Sequence, residues 1–89
     1  RETEIKKPGV YFWRTAGGEE VDFVLERGNR LLPIEVKSGR GVRVSDARGL
    51  ESFSREYGHR APFGLLIHDG PEAFLLTATT VAVPLGAVL

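Results

Sequence analysis

The chain contains no cysteine and no methionine, and its 12 basic and 12 acidic residues cancel. Without cysteine, neither a disulfide framework nor a thiolate zinc site can operate. That absence is compatible with a cytoplasmic location, which is the expected one. Zero net charge argues against a strong, non-specific polyanion binder but leaves room for a local basic patch. No apolar run approaches the roughly 20 residues that cross a bilayer as a helix, and no signal peptide is visible. No membrane partner is therefore expected. The sequence also lacks a Gly-x-x-x-x-Gly-Lys-Ser/Thr phosphate loop. It opens on Arg1, which reads as a processed chain or a piece of a longer protein. Eighty-nine residues provide for one domain with a single small core.

Arg1 to Gly9 is polar and charged, with Pro8-Gly9 as a breaker. It reads as a linker or frayed end, and residues 10–89 as the domain. Val10 to Thr15 is aromatic and β-branched, the mark of a first strand, and Ala16-Gly17-Gly18 is a turn. Two further strands follow as a hairpin. Pro33 has no N–H to donate, which predicts a bulge or an unpaired position in the second of these. Ser45 is placed as a helix N-cap, with Asp46 near the positive end of the helix dipole. Ala47, Leu50, Phe53 and Tyr57 then form one apolar stripe, and Gly58 stops the helix. Phe63 to His68 reads as a buried strand, with Ala73–Thr77 and Thr80–Val83 as two more. A strand–helix–strand crossover of this kind is expected to be parallel. The fold class is α/β (α+β): a mixed sheet with one crossover helix, βββαβ followed by a β-rich tail.

The hairpin carries the chemistry. Gly28-Asn29 reads as its two-residue loop, since both residues tolerate positive φ. Arg27 then faces Arg30, Leu25 faces Leu32, Phe23 faces Ile34, Asp22 faces Glu35, and Glu20 faces Lys37. Opposed residues share a face, with Cβ atoms roughly 5 Å apart. Val21, Phe23, Leu25, Leu32, Ile34 and Val36 make one apolar face, and Glu20, Asp22, Glu35 and Lys37 cluster on the other. The plain alternative is a solvated face whose ion pairs are each worth about 0–1 kcal/mol.

Asp22 followed by Glu35-Val36-Lys37 resembles the motif of the PD-(D/E)xK nucleases. The segments Tyr11-Phe12-Trp13-Arg14-Thr15, Glu20-Val21-Asp22-Phe23-Val24-Leu25 and Ile34-Glu35-Val36-Lys37-Ser38 narrow the likeness. They are similar to the carboxy-terminal domain of unknown function found on many prokaryotic AAA-type ATPases. The resemblance runs from about Val10 to Leu89. It implies a truncated restriction-endonuclease-like core, short of the leading helix that in the family usually carries another glutamate. Glu2 and Glu4 have no helical stripe around them and are not assigned that role.

The resemblance implies Asp22, Glu35 and Lys37 as catalytic residues. Mg²⁺ or Mn²⁺ would be held by both carboxylates and the main-chain carbonyl of Val36. Lys37 would orient the attacking water or stabilise the transition state. Arg40, Arg43 and Arg48 follow closely and read by default as a solvated loop, with contact to phosphates flanking the scissile bond as their alternative role. The implied partners are DNA and an upstream ATPase domain outside these residues. Two other readings stand beside this one: a catalytically inactive nuclease-like module that binds nucleic acid or protein, and a plain α/β interaction domain. One helix covers only part of such a sheet. Self-association is therefore expected, most simply as a twofold dimer burying residues from Tyr11, Trp13, Phe23 or Phe74.

Overall fold

The computed structural model describes residues 2–7, 9–39 and 41–88, with the backbone alone for residues 2–7. Seven strands form one mixed sheet: β1 (Glu2–Lys7), β2 (Val10–Arg14), β3 (Glu20–Arg27), β4 (Arg30–Val36), β5 (Gly64–His68), β6 (Phe74–Thr77) and β7 (Thr80–Pro84). Their spatial order is β1-β2-β3-β4-β5-β7-β6. The helix α1 (Arg48–Tyr57), entered through a 3₁₀ turn at Val44–Ala47, connects β4 to β5. Those two strands are parallel, as the crossover predicts. β5 and β7 are also parallel, and the remaining neighbours are antiparallel. Glu2–Lys7 corrects the linker reading. A polar segment pairs with β2 as an edge strand, where backbone partners matter more than side-chain hydropathy.

The β3–β4 hairpin has the expected register, with Arg27 opposite Arg30 and Phe23 opposite Ile34. Gly28 has φ of 60°, and no non-glycine residue has positive φ among the described residues. The turn therefore needs the left-handed region at its first central residue alone, a demand that glycine meets without a Cβ clash. Pro33 pairs in register with Val24 without a bulge, correcting that expectation.

The bulge lies instead on the other side of β3. Tyr11 pairs with Val24 and Trp13 with Val21, so two steps of β2 span three of β3. The extra residue turns both Val21 and Val24 to the helix side, where they are buried. The single apolar face expected from strict alternation is thus divided. Val21 belongs to the core, whereas Phe23, Leu25 and Val36 stay exposed on the face away from α1.

The core lies between that helix side and α1. Leu50 and Phe53 from the helix stripe pack on Trp13, Val21, Val24, Leu31, Leu66 and Ala82. The Trp13 and Phe53 rings meet edge to face at 5.2 Å, an arrangement worth about 0.5–1.5 kcal/mol beyond area burial. Trp13 is 1% exposed. It is therefore withdrawn from the dimer contact expected of it, and Tyr11 packs against the same core. No helix among the described residues is long and apolar enough to cross a membrane.

Candidate functional site: the carboxylate pair at the end of the hairpin

Beyond Phe23 and Ile34 the two hairpin strands are joined through side chains. The Asp22 N–H donates to Glu35 Oε1 at 2.9 Å, and the Val36 N–H donates to Asp22 Oδ2 at 2.9 Å. Each carboxylate thus closes a backbone amide of the opposite strand. The two carboxyl groups also face each other, and a hydrogen bond between them favours the protonated form of Glu35. Glu35 pairs across the sheet with the fully buried Leu66, which puts it on the face that α1 covers. Burial pushes the Glu35 carboxyl up to about 7, and the negative charges of Asp22 and Glu20 add to the rise. The amide of Asp22 acts against it by stabilising the carboxylate.

Lys37 lies just past β4, its own N–H donating to the Ile67 carbonyl at 2.8 Å. Its Nζ is 3.5 Å from Asp46 Oδ1. Asp46 Oδ2 in turn accepts the Arg43 N–H at 2.7 Å. Asp46, rather than Ser45, therefore closes the start of the helical segment, and it restrains the catalytic candidate Lys37 as well. An aspartate three residues after an orphan amide is a recognisable cap, but the lysine contact depends on the long-range fold.

Glu20 is exposed and stands opposite Arg14 on β2. Glu19 serves the packing of the fold, since its carboxylate accepts the Ser52 hydroxyl at 2.7 Å and ties α1 to the turn before β3. Val36 supplies an amide to Asp22, and its side chain is exposed. Arg43 and Arg48 are exposed near the site, and Arg40 lies outside the described residues. His68 is buried at the end of β5, its Nδ1 accepting the Gly70 N–H at 2.9 Å. A hollow of about 790 Å³ opens beside it, between the loop after Lys37 and the Asp69–Glu72 turn. Among the described residues, no group of three or more His, Cys, Asp or Glu is placed to hold a metal.

The raised Glu35 pKa has a thermodynamic consequence. The folded state holds this proton more tightly than the unfolded chain does, between about 4.5 and about 7. Its contribution to stability is therefore complete below the lower value and lost as pH rises through the upper one. Solvent screening of this half-buried group limits the loss to about 1–2 kcal/mol. Urea unfolding of wild type and Glu35→Gln from pH 4.5 to 8 checks this. The stability difference is expected to move in favour of the glutamine variant as pH rises. A pH-independent difference would contradict the burial of this carboxyl.

Residues 1–88 match the model of a family described as Domain of unknown function (DUF4143), and the chain belongs to that family. No curated protein and no solved structure matches the chain.

Proposed function

We propose that this domain is a divalent-cation-dependent nuclease of the PD-(D/E)xK type that acts on DNA. The observation that carries the reading is the cross-strand bonding of two carboxylates, Glu35 to the Asp22 amide and Asp22 to the Val36 amide, which brings them together. Lys37 follows on the same strand end, tethered by an ion pair rather than buried.

The donor set is all oxygen, which fits Mg²⁺ or Mn²⁺ and disfavours Zn²⁺. Asp22, Glu35 and the Val36 carbonyl would hold the ion, with waters completing its shell. A bound ion of this kind neutralises phosphate charge and makes its bound water more acidic. The protein's own residues do the rest. Lys37, held by Asp46, presents a cation to the charge that develops on the scissile phosphate. Exposed Arg43 and Arg48 offer forks for flanking phosphates. Arg40 completes that proposal from outside the described residues. The likeness noted in the sequence extends the proposal to an ATPase domain as neighbour.

Because Glu35 must lose its proton to bind a cation, affinity is expected to rise as pH passes about 7. Calorimetry with Mg²⁺ and with Mn²⁺ at pH 8 tests the site. Wild type is expected to bind, and Asp22→Ala/Glu35→Ala is expected to lose binding at least tenfold. Equal binding by both proteins would reject this site.

One observation favours a second reading, a nuclease-like module that binds DNA or protein without cleaving. The carboxylate pair has no third acidic or histidine ligand among the described residues. DNA binding that needs no divalent ion and leads to no cleavage would select this reading over the first.

A further inference from the structure

The sheet face opposite α1 is apolar in register across four strands. Ile34 stands opposite Leu65, Leu65 opposite Val81, and Val81 opposite Leu75. Paired residues share a face, so these side chains form one row. A second row, Val36, Ile67 and Val83, runs beside the first, and the Leu25–Leu32 pair continues the surface toward the hairpin turn. Leu75 is 67% exposed and Val36 47%. Near the turn an apolar hollow of about 270 Å³ forms between Leu25, Leu32 and Phe63, with Arg27 and Arg30 among its walls.

We propose that this face is the contact between two copies of the chain, packed sheet against sheet about a twofold axis. Charge complementarity supports a second copy as occupant: exposed Arg27 and Arg30 lie at one end of this sheet and exposed Asp69 and Glu72 at the other. Aligned packing of two twisted sheets brings such rows together with an offset of about 30°.

Charge selects the orientation. Arg27 and Arg30 are exposed at the hairpin end of β3 and β4. Asp69 and Glu72 are exposed at the other end, past the finish of β5. A twofold axis lying across the strands sets the arginine end of each copy against the acidic end of its partner. The carboxylate pair lies on the opposite side of the sheet, so this contact is independent of the proposed nuclease reading.

Sedimentation equilibrium of the 89-residue chain from about 5 to 200 µM tests the proposal. Wild type is expected to shift from monomer to dimer across this range. Leu75→Lys and Val36→Lys, both at exposed positions, are each expected to weaken the dimer at least tenfold with an unchanged circular dichroism spectrum. Arg27→Glu/Arg30→Glu, at the solvent-facing turn, guards against a folding failure in those variants. It is expected to weaken the dimer at low salt and less so at high salt. A monomer at every concentration overturns the proposal, whether or not another protein then binds the face. A dimer indifferent to all of these substitutions overturns it as well and moves the contact to the β6 edge.

Discussion

Alanine in place of Lys37 is expected to reduce divalent-ion-dependent DNA cleavage at least a hundredfold while leaving the fold intact. The size follows from removing a preorganised cation aimed at developing charge, which typically costs a factor of about 10²–10³. The fold survives because the side chain contributes one long, partly exposed ion pair, Nζ to Asp46 at 3.5 Å. Such a pair is worth about 0–1 kcal/mol. Its backbone bond to Ile67 persists in the variant, since that bond uses the main-chain amide. A cleavage assay paired with urea unfolding separates the two effects. Undiminished cleavage would remove Lys37 from the mechanism. Lost stability of several kcal/mol would make it a structural lysine.

Gly49→Ala is expected to destabilise the domain by about 2–3 kcal/mol, lowering the melting temperature by roughly 10–20 °C. Helix propensity alone predicts the opposite sign, since alanine is favoured over glycine by about 1 kcal/mol in a helix interior. The difference is contact. A Cβ at Gly49 would collide with the carbonyl oxygen of Glu20 and lie 3.2 Å from its carbonyl carbon. Backbone atoms cannot rotate away as a side-chain tip can, so α1 must lift from β3. Glu20 is two residues from Asp22, and the lift would also disturb the carboxylate pair. Gly86→Ala is the control, because a Cβ there meets nothing within 4 Å. Thermal melts of both variants decide the point. A Gly49→Ala protein as stable as wild type would show that α1 does not sit this close to β3.

The hairpin was readable in the sequence because its determinants are local. Gly28 fixes the turn, and the pairing of Arg27 with Arg30 follows by counting. The crossover helix and its parallel strands were readable for the same reason, from one apolar stripe between two apolar runs. The bulge at Val21–Val24 was not, because it exists only in the pairing of β3 with β2. That single extra residue decides which face holds Val21 and leaves Phe23 exposed. The edge strand Glu2–Lys7 was hidden by its polarity, since its partner strand and not its own composition holds it. The nearness of Asp22 and Glu35 was legible, but the reason for it was only partly so. The Glu35 carboxylate accepts the Asp22 amide, the Asp22 carboxylate accepts the Val36 amide, and Lys37 is held by Asp46, nine positions along the chain. Gly49 carried no signal beyond being a glycine in a helical stretch, since its role depends on the Glu20 carbonyl.

The most direct test of the site is a Mn²⁺ titration followed through backbone amide resonances at pH 8. Paramagnetic broadening is expected first at Asp22, Phe23, Glu35, Val36 and Lys37, while Gly28 and Asn29 at the far end of the hairpin stay sharp. Asp22→Ala/Glu35→Ala is expected to abolish that selectivity. Broadening that begins at Asp69 and Glu72, or that is the same in both proteins, would contradict a cation site between Asp22 and Glu35.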